Sequence, residues 1–243
     1  MGVILSLILL PDAILSDALP DAVLVVGKFS NTPEGVAVPV GWEPLTFKKI
    51  PRHTRYTLVM ESGRVVVKAT SESSSSGLIR KIRIDPKEFS LIEWRWKILN
   101  IYQKGDVTTK EGDDYPARLY ITFESDPADM GLFEKIKYET ARLFYGEYPP
   151  SSAITYIWES KTPKGSVVSN PYTDRVRMIV VESGDSLLNQ WLLEERNVYE
   201  DYKSAFGREP PMISGVAIMT DSDNTGESTT AFYGDIIFKK SVK

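Results

Sequence analysis

The octapeptide Leu91–Ile98, LIEWRWKI, alternates without a break. Ile92, Trp94, Trp96 and Ile98 fall on one side, and Glu93, Arg95 and Lys97 on the other. A strand, with its period of two, separates the classes this way; a helix would scatter the two Trp to opposite sides. A strand with one apolar face needs a second layer over it, so a fold of sheets packed face to face follows. Ala117–Glu124 repeats the pattern, with Ala117, Leu119, Ile121 and Phe123 opposed to Arg118, Tyr120, Thr122 and Glu124.

Other short runs read as strands between turn residues: Val23–Phe29, Leu45–Phe47, Gly77–Ile84, Ile154–Glu159, Val176–Glu182, Ile213–Asp221 and Thr229–Phe238. Thr54–Met60 and Arg64–Thr70 form a hairpin about Ser62-Gly63, and Ser71–Ser76 reads as a polar loop. Two segments carry helical spacing. Leu132–Phe144 repeats Leu132, Ile136, Thr140 and Leu143; Leu192–Phe206 carries Val198, Tyr202 and Phe206, then Gly207 and Pro210-Pro211 as stop signals. Strands dominate, with no internal repeat and no linker. The reading is an all-β, antiparallel β-sandwich of jelly-roll type, with one or two short helices in connecting loops, forming a single domain over residues 19–243.

Val3–Leu10 is an apolar run, far shorter than the roughly 20 residues that span a bilayer. Ser16-Asp17-Ala18 has the small-x-small pattern of a signal-peptidase site, so residues 1–18 read as a signal peptide, although no Lys or Arg precedes the apolar run. A periplasmic or secreted protein with no membrane span is expected.

Composition narrows the chemistry. Lys and Arg number 29 and Asp and Glu 33, a net charge of −4, so no basic surplus exists for nucleic acid. With no Cys and one His, thiolate sites, multi-histidine metal centres and cysteine nucleophiles are excluded. Nucleotide-binding and nucleophile-elbow motifs are absent. Chemistry falls to carboxylates, Arg and Tyr.

The polar sides of the strands supply the first candidate. Glu93, Arg95, Lys97, Arg118, Tyr120, Tyr156, Trp158 and Arg177 would line one aromatic and basic face if their strands were neighbours. Such a face stacks sugar rings and binds hydroxyl and acid groups, so a glycan or small anionic ligand is expected. The other reading is an ion-paired face covered by a loop or helix. The second candidate is Asp221-Ser222-Asp223-Asn224-Thr225-Gly226-Glu227, in which Asp221, Asp223, Asn224 and Glu227 offer oxygen ligands for structural calcium, with Asp113 and Asp114 nearby; the alternative is a plain turn. No other cofactor is expected. His53, beside Arg52, Arg55 and Tyr56, fits a lyase base or an ordinary strand-start residue. Glu93, Glu159 and Glu182 are the carboxylates that a glycosidase pair would draw on.

Six strings carry a family resemblance: Gly41–Leu45 (GWEPL), Trp94–Lys97 (WRWK), Gly112–Arg118 (GDDYPAR), Tyr156–Ser160 (YIWES), Arg196–Tyr202 (RNVYEDY) and Met219–Glu227 (MTDSDNTGE). Together they resemble the bacterial domain of unknown function 3047 family over most of the chain after about Val23. The resemblance implies a secreted or periplasmic bacterial protein and carries no activity and no catalytic residue with it. The expectation is therefore a non-catalytic envelope binding protein for a carbohydrate or anionic glycan. Its alternatives are a polysaccharide lyase or glycoside hydrolase on the same fold, and a protein-interaction module using the polar helix.

Overall fold

The computed structural model describes residues 22–124 and 152–241. The signal-peptide reading of residues 1–18 and the helix expected at Leu132–Phe144 lie outside the described residues. Within them the chain forms two packed sheets, the sandwich that alternation requires. One sheet joins β11 (Leu192–Asn197), β6 (Leu91–Ile98), β13 (Ser228–Lys239), β4 (Arg64–Glu72) and β3 (Arg55–Glu61) in that order, and β1 (Val23–Gly27) pairs with the far end of β13. The other runs β2 (Glu43–Leu45), β5 (Ser75–Ile84), β12 (Ile213–Asp221), β7 (Ala117–Phe123), β8 (Ser152–Glu159), β10 (Thr173–Ser183) and β9 (Val167–Asn170). Pairing is antiparallel except between β8 and β10, which run parallel with β9 in the crossover between them.

The core lies between the sheets and is aromatic at its centre. Trp94 and Trp96 point inward from β6, as their alternation requires, and are closed to solvent. They meet Tyr156 and Trp158 of β8: Trp94 stacks on Tyr156 at 5.1 Å, and Trp96 tilts against Trp158 at 6.1 Å. Burying each such ring contributes on the order of 2–3 kcal/mol, and the offset contacts add to it.

A smaller apolar cluster of Val107, Tyr115, Ile157, Met178 and Val180 sits on the other side of the second sheet, under the loop that leads into β7. Strand β8 is therefore buried on both faces, along its whole length.

Three local expectations change. Ser71–Ser76 is not a loop: β4 runs to Glu72 and β5 starts at Ser75, with only Ser73 and Ser74 turning. Ser71, Ser74, Ser75 and Ser76 are buried because these hydroxyls and their backbone bond one another and the facing sheet. Ser71 Oγ lies 2.7 Å from Ser222 Oγ and 2.9 Å from Ser74 Oγ, and Thr54 Oγ1 donates to the Thr220 carbonyl at 2.7 Å. Leu192–Phe206 is not one helix: Leu192–Asn197 is an edge strand, and only α1 (Val198–Phe206) is helical. Asn197 caps α1 by accepting the Glu200 N–H at 3.1 Å, and Gly207 ends it at φ +69°. Strand β9 was unforeseen. No helix among the described residues is long and apolar enough to cross a membrane.

Candidate functional site

The outer face of the first sheet holds a hollow of about 420 Å³, at the small end of the size range of ligand pockets. It forms where β13 changes partners. β13 pairs with β4 as far as Tyr233 and with β1 from Ile236 onward, and its register against β6 shifts between those residues. Gly234 and Asp235 thus oppose Arg95 as a bulge, a device that re-aims side chains. Ser30 fixes the bulge by donating its N–H and hydroxyl to the Asp235 carboxylate at 2.9 and 2.5 Å.

Arg95 lies flat across this bulge. A Cβ on Gly234 would stand 2.5 Å from Arg95 Cγ, so only glycine admits the side chain there. The Arg95 guanidinium sits 4.6 Å over the ring of Trp191, just ahead of β11. Arg64, exposed on β4, borders the same hollow. Among the described residues neither guanidinium forms an ion pair or a side-chain hydrogen bond. Burial, and then the charge of Arg64, hold the Arg95 pKa below its ordinary value. Two like charges converge here, against a smaller upward pull on Arg95 from the Asp235 carboxylate, which forms no ion pair with either among the described residues. The hollow's own carboxylates are otherwise engaged, Asp235 by Ser30 and Glu93 by Lys239. The Trp191 indole N–H is shielded from solvent and has no acceptor among the described residues. Lys97 packs on the same face, 4.6 Å over Phe232 and 5.5 Å over Trp191, and pairs with Glu61.

A second polar centre lies on the outer face of the second sheet, where the strings Gly112–Arg118 and Met219–Glu227 meet. Arg118 is 3% exposed, and each of its three guanidinium nitrogens is bonded. Its Nε donates to Asp221 Oδ1 at 2.9 Å, Nη2 pairs with Asp221 and donates to the Asp113 carbonyl at 3.1 Å, and Nη1 donates to Tyr120 at 3.1 Å. The ring of Tyr115 lies 4.5 Å below the guanidinium. Burial pushes the Asp113 carboxyl upward against the pull of Arg118. Carboxylate oxygens of Asp114, Asp221 and Asp223 lie within 4.8 Å of one another. In this cluster Asp114 accepts the N–H groups of Asn224 and Thr225 at 3.3 and 2.5 Å, and Arg118 faces Asp221.

The sequence-derived residues therefore divide. Glu93, Arg95 and Lys97 share the first sheet's outer face; Arg118, Tyr120, Tyr156, Trp158 and Arg177 belong to the other sheet, so no single face collects all eight. Tyr156 and Trp158 point into the core: Tyr156 Oη donates to Asp201 at 2.8 Å, and Trp158 Nε1 to the Gly184 carbonyl at 3.0 Å. Arg177 turns to α1, donating to the Ala205 carbonyl at 3.3 Å and lying 5.3 Å over Phe206, where a cation suits the helix C-terminus.

Of the calcium set, Asp221 and Asp223 come together with Asp114. Asn224 instead donates to the Lys110 carbonyl and Tyr172 hydroxyl at 2.7 and 3.0 Å, and Glu227 accepts the N–H groups of Gln103 and Lys104 at 3.1 and 2.9 Å. His53 is exposed ahead of β3. Glu93 lies on the opposite sheet from Glu159 and Glu182. Sequence reasoning missed Arg64, Trp191, Gly234 and Asp235; a Trp followed by two Leu and then acidic residues was the available signal for an edge strand.

Among solved structures the chain is similar to the Spr0440 glycoside hydrolase domain, Endo-D from Streptococcus pneumoniae R6, at 9% identity and a TM-score of 0.34, covering 83% of this chain and 22% of that one. It is also similar to the Emp47p carbohydrate recognition domain, at 14% identity and a TM-score of 0.44, covering 92% and 96%. An exo-β-agarase gives 12% identity and a TM-score of 0.36 over 90% and 25%. The chain spans about a fifth of the glycoside hydrolase structure and a quarter of the agarase. A comparison with curated proteins gives no match. The profile of the family described as "Protein of unknown function (DUF3047)" matches residues 40–237, and the chain belongs to that family.

Proposed function

We propose that the chain is a non-catalytic envelope protein that binds a glycan carrying an acid group, and that the hollow on the outer face of the first sheet is its site. The observation that carries this reading is Arg95. It is a partly buried guanidinium fixed over an indole face, beside a second arginine, and among the described residues it forms no ion pair. A buried or half-buried cation without a partner is unfavourable, and a ligand carboxylate, sulfate or phosphate taking both guanidinium groups would relieve it. The apolar walls from Val66, Ile237, Leu193 and Trp191 give a sugar ring a surface to lie against.

Binding is favoured over catalysis by the state of the carboxylates. Glu93 is neutralised by Lys239, and Asp235 is fixed by Ser30, so the hollow lacks a free acid and base at opposed positions. A glycan array probed with wild-type protein and with Arg95→Ala tests the reading. Acidic glycans should be retained by the wild type and lost by the variant; an array on which nothing acidic binds contradicts it.

A further inference from the structure

The hollow continues along β4. Val65, Val67 and Ala69 belong to the core, so Arg64, Val66 and Lys68, which alternate with them, stand on the outer face. Val66 is 1% exposed and, with Arg64, lines the hollow. Lys68 is the next outward residue, half-buried. At the rise of an extended strand its Cα lies about 13 Å from that of Arg64. Among the described residues its ammonium forms no ion pair and no hydrogen bond.

Sheet register brings a further cation beside it. Lys68 faces Phe232 of β13, and Phe232 faces Lys97 of β6, so one row across the sheet reads Lys68, Phe232, Lys97. Lys97 Nζ lies 4.6 Å over the Phe232 ring and pairs with Glu61 of β3, which is in register with Arg64. The Lys97 side chain therefore crosses the face from β6 to β3, and passes over β4 between Arg64 and Lys68.

The charges on this strip do not cancel. Arg64, Lys68, Arg95 and Lys97 stand against the carboxylates of Glu61 and Asp235. Glu61 is held by Lys97, and Asp235 by Ser30. Further out, Glu93 and Glu195 share Lys239. Beyond Lys68, Arg55 of β3 and Glu72 of β4 are exposed on either side of Thr70, and their opposite signs end the excess. The surplus of positive charge is thus confined to a strip from Arg95 to Lys68, where it attracts an anion that runs the same way.

We propose that the site takes a chain with acid groups at repeated positions, an acidic oligosaccharide laid along β4. One acid group sits between Arg95 and Arg64, and a later one meets Lys68. Val66 and the stem of Lys97 over Phe232 form the floor between them. This extension rests on the proposed function of the hollow. A sugar with a single acid group satisfies the arginines and leaves the Lys68 charge unmet. A second acid group on the same chain reaches Lys68 at high effective concentration, so the contact adds affinity. Uronate carboxylates and sulfate esters share the required chemistry, a compact anion for guanidinium and ammonium donors.

Affinities of galacturonate and its oligomers of two to six residues, measured for wild type, Lys68→Gln and Arg95→Ala at fixed ionic strength, test the extension. The wild type should gain about threefold to tenfold once the oligomer is long enough to reach Lys68, and then level off. Lys68→Gln should bind the monomer as the wild type does and lose that gain. Arg95→Ala should lose monomer and oligomer alike. Sulfated oligosaccharides of the same lengths run beside them: the series that shows the gain, and its loss in Lys68→Gln, supports the proposal and names the acid group. Affinity that does not grow with length, or a gain that survives in Lys68→Gln, overturns the extension and leaves the arginine hollow standing. Acidic sugars that bind wild type and Arg95→Ala alike, or bind neither, overturn the hollow itself and the extension with it. An oligodeoxynucleotide of equal charge that binds more tightly than either sugar series overturns the oligosaccharide as ligand.

Discussion

The guanidinium of Arg95 lies 4.6 Å over the ring of Trp191. That stack exists because residue 234 has no side chain. In Gly234→Ala the new Cβ would meet Arg95 Cγ at 2.5 Å and Nε at 2.6 Å. The side chain of Arg95 has to leave the bulge and with it the indole. A site displaced by about 1 Å typically loses on the order of 10²-fold in function. Gly234→Ala should weaken acidic-ligand binding by about 10- to 100-fold in calorimetry, while far-UV circular dichroism stays that of the wild type. Unchanged affinity would show that the position of Arg95 is not what the ligand reads.

The buried pair Arg118–Asp221 makes the opposite kind of prediction. Arg118→Met leaves Asp221 and Asp113 facing each other without their cation. Removing one partner of a buried pair costs about 3–5 kcal/mol. Denaturant unfolding should show a loss of that order. The double variant Arg118→Met/Asp221→Leu should recover part of it, because only Asp113 is then left without its cation. A loss below about 1 kcal/mol in the single variant would mean that the centre is more solvated than its 3% exposure indicates.

What was legible in the sequence follows from which strands have two different faces. Trp94 and Trp96 could be placed in the core because Glu93, Arg95 and Lys97 alternate with them. Tyr156 and Trp158 could not be placed, because β8 is buried on both sides and its eight residues carry no alternation. They leave the ligand face because the second apolar layer around Val107 and Tyr115 makes both sides of β8 apolar and removes the alternation that distinguishes them. Ser71–Ser76 read as a loop because polar residues usually are; here the hydroxyls bond one another across the two sheets. The ligand groove was half legible. Glu93 and Arg95 came from the alternation, whereas Trp191 and Gly234 reach them only through the pairing of β11 and β13 with β6, which is tertiary information.

The corrected role of Tyr156 can be measured. Its hydroxyl is bonded to Asp201, which Arg196 also holds. Tyr156→Phe should cost about 1–2 kcal/mol of stability, the value of a hydrogen bond to a charged group, and leave ligand affinity unchanged. A selective loss of binding with stability intact would return Tyr156 to the ligand site.

Stability should also fall as pH rises. Glu194 has a folded-state pKa of about 7 against an ordinary value of 4.5. The folded state therefore holds the proton more tightly than the unfolded chain. Its contribution is fully present below about 4.5 and is lost as pH rises through about 7. Discounted for screening at the sandwich edge, the loss is about 1–2 kcal/mol. Thermal unfolding of the wild type from pH 5 to 8 should show that decline over and above the curve of Glu194→Gln. Parallel curves would exclude Glu194 as the cause.

The central claim is that Arg95 and Arg64 read an acid group on a sugar. Isothermal titration of matched uronate-bearing and neutral oligosaccharides into wild type, Arg95→Ala and Arg64→Ala tests it most directly. The account predicts binding of the acidic ligand alone, at least about tenfold weaker in each variant and weaker still as salt is raised. Equal binding of the neutral ligand, or acidic-ligand affinity unchanged in both variants, would contradict it.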